Sequence, residues 1–180
     1  MKIYVMRHGR TVWNEKQICQ GRSANRLSKT GKEQVKSQAE KYKDIKVDII
    51  FSSPLMRTMQ TTNIMNKILK AKVVKDNRII EVDQGIFTGQ RKKGLTDEEK
   101  FELNQHSKNS GMETYEEIYS RVIDFIRFLR QNYKGKNVLV VTHGMIASYI
   151  EKIGTSLELK REEIKNYSTF QNAEIKKIEI

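Results

Sequence analysis

The chain has 180 residues, of which 37% are hydrophobic and 31% are charged, and this composition is typical of a folded globular protein rather than a disordered one. Its length is sufficient for one domain with a substantial core, so we expect residues 1–180 to form a single domain. No run of about eighteen apolar residues occurs, and the apolar run at residues 3–6 is too short for the core of a signal peptide. The single cysteine, Cys19, excludes an internal disulfide. Together these features predict a cytoplasmic protein without a membrane span.

The net charge of +12 is concentrated in the first quarter of the chain. Residues 1–43 contain eleven lysines and arginines but only three glutamates. Such an excess is compatible with a solvated surface, with an anionic ligand and with nucleic acid, and net charge alone does not distinguish them. Local motifs are needed to decide among these three interpretations of the charge.

Strand-like and helix-like segments alternate along the chain. The predicted strands are residues 2–6, 47–51, 72–74 and 137–141, with one or two further strands within 169–180. The predicted helices are residues 28–43 with Ser28 as the N-cap, about 54–69 with Pro54 near the start, about 97–103, 114–133, and 144 to about 153. This order predicts an α/β fold, a three-layer α/β/α sandwich with a mostly parallel central sheet and helices on both faces.

Two of the three histidines follow apolar strands directly. His8 comes after the first predicted strand and His143 after the fourth, and each is followed by a glycine that permits a tight turn. In a parallel sheet, ligands bind where strands end and helices begin. The pair therefore predicts a site at this edge of the sheet, whereas His106, in the polar stretch 104–110, is predicted to be exposed.

Five blocks of sequence surround these histidines in a familiar order. They are Arg7-His8-Gly9-Arg10-Thr11-Val12-Trp13-Asn14 with Gln20-Gly21, Ser52-Ser53-Pro54-Leu55-Met56-Arg57-Thr58, Glu81 with Gly85, Phe87 and Gly89, Gly111-Met112-Glu113-Thr114, and Thr142-His143-Gly144. In order and spacing they resemble the histidine phosphatase (phosphoglycerate mutase-like) superfamily over residues 2–150. The resemblance implies a phosphoryl-transfer enzyme that forms a phosphohistidine and requires no metal or other cofactor.

The resemblance also implies a role for each residue. His8 would be the nucleophile, attacking through a neutral ring nitrogen while an acceptor fixes the other one. Arg7 and Arg57 would hold the phosphoryl oxygens, since a guanidinium is always charged and can bind two oxygens at once. His143 would complete the pocket, and Glu81, preferred to Asp83, would protonate the leaving alkoxide. The implied secondary phosphate or substrate contacts are Thr11, Asn14, Gln20, Gly21 and Gly144.

Three departures from the family pattern concern the substrate rather than the chemistry. Arg10 stands where the family commonly has Glu or Gln, the acid that often follows Gln20-Gly21 is missing near Ser23, and no second arginine follows Arg57 two residues later. The identity of the phosphomonoester is therefore left open.

A short segment replaces the longer insertions of the mutases. Residues of about 90–113 are sufficient for a small lid, with the basic side chains Arg91, Lys92 and Lys93 near its start. An open pocket admits water to a phosphohistidine, so we expect a phosphatase acting on a small phosphorylated metabolite, with a phosphoglycerate mutase-type activity as the alternative.

Two hypotheses from other classes compete with the enzyme. A nucleic-acid-binding module is supported by the charge alone, because the sequence contains no zinc finger and no recognisable RNA-binding signature. A non-catalytic binding protein with the same fold would not need Arg7, His8, Arg57, Glu81 and His143 together.

Overall fold

Within residues 1–106, 108–155 and 170–180, which the computed structural model describes, five strands form one mixed sheet. The strands are β1 Lys2–Arg7, β2 Ile49–Ser52, β3 Lys72–Lys75, β4 Asn137–Thr142 and β5 Ile175–Glu179. The helices are α1 Val12–Glu15, α2 Lys29–Lys41, α3 Met56–Leu69, α4 Asp97–Gln105, α5 Tyr115–Asn132 and α6 Gly144–Thr155. Short 3₁₀ helices lie at Asn77–Ile79, Gly85–Phe87, Lys92–Gly94 and Lys108–Ser110.

The predicted helices and the first four predicted strands are present, with ends displaced by no more than two residues, and the one-turn helix α1 was not predicted. The strand expected within 169–180 is β5, and residue 169 itself lies outside the described residues. Ser28 is the N-cap of α2, where its hydroxyl accepts a hydrogen bond from Gly31 N at 3.1 Å. Helix α3 begins at Met56, two residues after Pro54.

The strand order is β3-β2-β4-β1-β5. The first four strands are mutually parallel, and β5 pairs antiparallel with β1 at one edge. Each parallel pair is joined by a connection that contains a helix, as parallel pairing requires. The predicted mostly parallel sheet is confirmed.

Both faces of the sheet are covered by helices. Alternate residues of the strands point to opposite faces, and each set belongs to its own hydrophobic cluster. Ile3, Val5, Phe51, Val138 and Val140 pack with α5 and α6. Tyr4, Met6, Ile50, Leu139 and Val141 pack with α2 and α3. Because β4 is buried on both sides, its sequence is a continuous apolar run, and the three-layer prediction is confirmed.

The register of the sheet brings three strand ends to one edge. Arg7 pairs with Thr142, and Ser52 pairs with Val141, so β1, β4 and β2 end at nearly the same level. The residues that follow these strands, among them His8, Ser53 and His143, therefore meet at the carboxyl edge of the sheet. Across the described ranges, no helix combines the length and the apolar character needed to cross a membrane.

Candidate active site

His8 is buried at the end of β1, with 1% of its surface exposed. Its backbone N–H donates to Thr142 O at 2.9 Å, which ties it to the end of β4. Its Nδ1 lies 2.8 Å from Gly9 O. Because a carbonyl only accepts, Nδ1 carries the proton and Nε2 the lone pair. Burial, followed by the charges of Arg57 and Arg7, lowers the pKa of His8 well below its ordinary value, so the ring is neutral.

His143 lies beside His8, with the two ring centroids 5.3 Å apart. Arg57 Nε donates to His143 Nδ1 at 3.2 Å, and His143 Nε2 lies 2.8 Å from Ser53 Oγ. A guanidinium has no acceptor, so Nδ1 holds the lone pair and Nε2 donates to the serine. Burial, then the charge of Arg57, lowers the pKa of His143 well below its ordinary value. This histidine is therefore also neutral.

Arg57, in the first turn of α3, is fully buried. Besides the bond to His143, it donates through Nη2 to Gly21 O at 2.7 Å and through Nη1 to Ser23 O at 3.0 Å. These contacts use three of the five N–H donors of a guanidinium. Burial lowers the pKa of Arg57 to about 10, so it remains a cation at neutral pH.

Arg7, the last residue of β1, is held close to the start of α6. Its Nη1 donates to Phe170 O, and within the described part of the chain its Nε is a buried donor without a hydrogen-bond partner. Buried polar groups are nearly always paired, so such an atom calls for an explanation. Gly144 leaves room for this arginine, since a Cβ at that position would lie 3.3 Å from Arg7 Cζ and Nε.

Glu81 is the carboxylate nearest to the two histidines. Its side chain is 18% exposed, its Oε2 lies 3.8 Å from His143 Nδ1, and its Oε1 accepts from Val82 N at 3.1 Å. Burial raises the pKa of Glu81, and this effect outweighs the opposing charge of Arg57. Asp83, the competing acid, is 43% exposed and faces Arg22 at 3.7 Å.

The secondary residues form a hydrogen-bonded loop around α1. Thr11 caps α1, and its hydroxyl donates to Gln20 Oε1 at 2.9 Å. Asn14 Oδ1 accepts from the Thr11 N–H at 3.1 Å. Gly21, with φ of +45°, donates its N–H to Gln84 Oε1 at 2.8 Å. These contacts join the loop that covers Arg57 to the segment after Glu81.

A cleft of about 440 Å³ opens at this edge of the sheet. Five of the predicted site residues line it, namely Arg7, Asn14, Gln20, Gly21 and Glu81. His8, Arg57 and His143 lie behind this wall and are almost completely covered. The predicted residues thus come together, but the buried histidines and Arg57 form a second layer beneath the cleft surface.

The family model described as histidine phosphatase superfamily (branch 1) matches residues 3–180. The chain belongs to this superfamily. Three relatives support the assignment. The first, from Bacillus subtilis strain 168, carries the name "Uncharacterized phosphatase PhoE" and is 34% identical over 142 residues, 79% of this chain and 71% of its own. Phosphoserine phosphatase 1 of Hydrogenobacter thermophilus is 31% identical, covering 87% of this chain and 78% of its own. A Salmonella choleraesuis protein named "Probable phosphoglycerate mutase GpmB" is 28% identical, covering 81% of this chain and 70% of its own.

A solved structure confirms the fold of this histidine phosphatase superfamily member. Mycobacterial glucosyl-3-phosphoglycerate phosphatase, in its complex with VO3, superposes with a TM-score of 0.86 at 20% identity. The superposition covers 98% of this chain and 90% of the mycobacterial one. At this identity the likeness concerns the architecture alone.

Several residues at the site of this superfamily member were not assigned a role from the sequence. Ser53 orients His143, and Gln84 lines the cleft and binds Gly21. Asn172 donates to His8 O and to Asn14 Oδ1, both at 3.3 Å. Ser53 could have been assigned to the site from the sequence, because it directly follows a strand at the edge where the site lies. Asn172 had none, because it reaches the site through the pairing of β5 with β1.

The prediction that His106 is exposed is wrong. Only 5% of its surface is accessible, and its ring lies 4.4 Å from that of Tyr115. It ends α4 in the left-handed conformation, with φ of +53°, and its Nδ1 lies 3.1 Å from Glu113 O. The polar sequence around it concealed this burial, because α4 folds back against the start of α5.

In the described part of the chain, no group of three or more His, Cys, Asp or Glu side chains is arranged to hold a metal ion.

Proposed function

We propose that this chain hydrolyses phosphate monoesters of small metabolites through a phosphohistidine on His8, with Glu81 as the proton donor. The observation that carries the proposal is the state of His8. Its ring is buried and neutral, Nδ1 is fixed by Gly9 O, and Nε2 has the lone pair that a nucleophile needs. The membership of the superfamily and the phosphatase names of two relatives support the same activity.

The reaction divides into two displacements at phosphorus. In the first, the Nε2 lone pair of His8 forms the P–N bond while the P–O bond to the alcohol breaks, and the departing oxygen takes the proton of the Glu81 carboxyl group. In the second, Glu81, now a carboxylate, takes a proton from water as the water oxygen attacks phosphorus. The P–N bond then breaks, and inorganic phosphate is released with Glu81 protonated again.

The two arginines balance the charge of the phosphoryl group during both steps. Arg7 lines the cleft and brings a buried Nε–H that lacks a partner among the described residues. A phosphoryl oxygen would satisfy that donor with a charge-assisted bond. His143 lies beside His8 and accepts a hydrogen bond from Arg57, and both would stabilise the same group. Thr11, Asn14, Gln20, Gly21 and Gly144 shape the loops that position it.

A second candidate activity is mutase-type phosphoryl transfer. The relative named as a phosphoglycerate mutase favours it, since it covers a share of this chain similar to that of the phosphatase-named ones. The two activities share the first displacement and differ in the acceptor, which is water in one case and a second hydroxyl group in the other. We place hydrolysis first because the proposed lid, at about residues 90–113, is short.

A panel of phosphomonoesters tests the proposal, with inorganic phosphate release as the measurement. We expect wild-type protein to release phosphate from small esters and the folded His8→Ala variant to lose at least about 10³-fold of that rate, because the covalent route is closed. Interconversion of 3- and 2-phosphoglycerate that is faster than phosphate release would favour the mutase. Salt-sensitive oligonucleotide binding, unchanged in His8→Ala and without phosphate release, would favour nucleic-acid binding instead.

A further inference from the structure

A second cavity, which we call the side cavity, adjoins the cleft. Its volume is about 160 Å³. Glu81, Gln84 and Lys92 line both the cleft and the side cavity, so the two spaces meet at these three side chains. Glu81, the proposed proton donor, therefore stands at the junction.

The remaining wall of the side cavity comes mainly from α4 and the segment after it, with Val82 and Met145 completing it. Leu103 and Met112 contribute apolar surface, and both belong to a small cluster with Phe87 and Leu95 that is separate from the two main clusters. His106 contributes a buried ring whose Nδ1 is fixed by Glu113 O. These contacts hold the wall in place without any ligand. The wall offers a ligand both apolar and hydrogen-bonding surface.

The chemistry of the first displacement points to the use of this space. A general acid must lie within hydrogen-bonding distance of the ester oxygen that it protonates. That oxygen is bonded to the first carbon of the alcohol, so the alcohol begins next to Glu81. The phosphoryl group lies toward Arg7 and His8, and the leaving oxygen departs roughly in line, on the side of phosphorus opposite the nucleophile.

We propose that the side cavity holds the alcohol part of the substrate and selects phosphate esters of compact alcohols that carry hydrogen-bonding groups. This inference rests on the proposed phosphatase activity. The side cavity is small, at about 160 Å³, so a group the size of glycerol fits within it, whereas a nucleoside would extend beyond it into the cleft. Lys92, Gln84 and His106 supply polar groups for its hydroxyls, and Leu103 and Met112 pack against its carbons.

The test compares three esters that share the phosphoryl group and differ in the alcohol. They are methyl phosphate, glycerol 3-phosphate and adenosine 5′-monophosphate, and the measurement is kcat/KM. We expect glycerol 3-phosphate to exceed methyl phosphate by about tenfold or more, which equals about 1.4 kcal/mol of binding in the side cavity, and to exceed the nucleotide as well. Leu103→Trp, which fills the cavity, should abolish the advantage over methyl phosphate.

Phe101→Trp is the matched control. Phe101 lies on the same helix, is 67% exposed and does not line the side cavity, so this variant should keep the wild-type ratio of glycerol 3-phosphate to methyl phosphate. If Leu103→Trp does not fold, His106→Asn gives a second reading, because asparagine tolerates the left-handed backbone at this position. Loss of the ring should lower the same ratio at least about threefold.

Two results would overturn the inference while leaving the phosphatase proposal intact. One is hydrolysis of all three esters with a ratio that neither Leu103→Trp nor His106→Asn changes by more than about twofold. The other is hydrolysis of the nucleotide as efficiently as glycerol 3-phosphate. Absence of phosphate release from every ester by the wild-type protein would contradict both proposals.

Discussion

At the scale of single residues, burial shifts the pKa values of His8 and Glu81 in opposite directions. Removing either group from water disfavours its charged form, so burial lowers the pKa of His8 and raises the pKa of Glu81. The positive charges of the neighbouring arginines lower both pKa values, so they add to the effect of burial on the histidine and oppose it on the glutamate. The result is a neutral base beside a carboxyl group that keeps its proton more readily than usual. A nucleophile and a general acid need these two states.

The proposed role of Glu81 as proton donor predicts a dependence of the rate on the leaving group. Glu81→Gln keeps the size of the side chain but has no proton to give, so kcat for an alkyl phosphate should fall by about 10²–10⁴-fold. The loss should be much smaller for the initial release of p-nitrophenol from p-nitrophenyl phosphate, because that leaving group needs little protonation. Rapid-mixing kinetics with both esters measure the difference.

Asp83→Asn is the matched control for Glu81→Gln. Asp83 is nearby in the sequence, but it is half-exposed and faces Arg22 rather than the histidines. We expect its kcat to stay within about twofold of the wild type for both esters. If Asp83→Asn instead showed the larger loss, the two acids would have to exchange roles.

The positions of the site residues were predictable from the sequence where a motif and a strand end coincide. Arg7, His8, Arg57 and His143 all meet at the carboxyl edge of the sheet, as expected from their blocks. An acceptor for the second ring nitrogen of His8 was expected, but neither its identity as Gly9 O nor the burial of His106 was predictable, because both depend on backbone conformation and on packing between elements.

At the scale of elements, helix α2 supports the loop that carries His8. A Cβ at Gly31 would lie 1.9 Å from Arg10 O, and one at Gly9 would lie 2.6 Å from Val35 Cγ2. The helix and the loop therefore touch backbone to backbone. A glycine inside a helix costs about 0.5–1 kcal/mol relative to alanine, so this close packing explains why Gly31 stands there.

Gly31→Ala should therefore be destabilising, although alanine is the better helix former. The added methyl group meets a backbone carbonyl, and we expect the free energy of unfolding to fall by about 2 kcal/mol or more. The phosphatase activity should fall with it, because the loop after His8 must move. Urea denaturation and kcat/KM measure the two effects.

Gly94→Ala provides the comparison for Gly31→Ala. Among the residues that the structure describes, no heavy atom lies within 4 Å of a Cβ at position 94. Its free energy of unfolding should differ from the wild type by no more than about 0.5 kcal/mol. Equal effects of the two alanines would show that α2 does not pack on the loop as described.

Element positions followed from the sequence more closely than element pairing did. Apolar runs and capping residues placed the first four strands and the five longer helices to within two residues, because these signals are local, whereas the one-turn helix α1 was not predicted. The strand order β3-β2-β4-β1-β5 could not be derived in the same way, since β1 pairs with strands far away in the sequence. The sequence therefore left the strand order open.

At the scale of the whole molecule, the buried histidines make stability depend on pH. The pKa of His8 and of His143 is well below 6.5 in the folded protein, whereas the unfolded chain titrates near about 6.5. As the pH falls below about 6.5, the unfolded chain gains protons that the folded protein does not accept, so stability is lost. His106 acts in the same direction, and Glu81, whose pKa is raised, acts in the opposite one.

We therefore expect the free energy of unfolding to be nearly constant from about pH 8 to pH 7 and to fall below that. Each histidine that stays neutral contributes a slope of up to about 1.4 kcal/mol per pH unit. Urea denaturation at a series of pH values measures the slope, and His8→Asn should reduce it. A stability that rises between about pH 6.5 and pH 5 would contradict the neutral, buried histidines.

The layered architecture was predictable because alternation of strands and helices leaves few arrangements. Strands buried on both faces, such as β4, require helices on both sides, and the two hydrophobic clusters show this directly. The side cavity was not predictable, because its walls come from Glu81, Lys92, Leu103 and His106, which no local pattern connects.

The most direct test of the account is to locate the phosphate during turnover. Glu81→Gln with p-nitrophenyl phosphate should form the phosphohistidine readily and hydrolyse it slowly, because the variant has no base to activate water. Mass spectrometry after an acid-free quench is predicted to find the phosphate on His8 and to find none in the His8→Ala variant. Phosphate on another residue, or hydrolysis by His8→Ala at near the wild-type rate, would contradict the central claim.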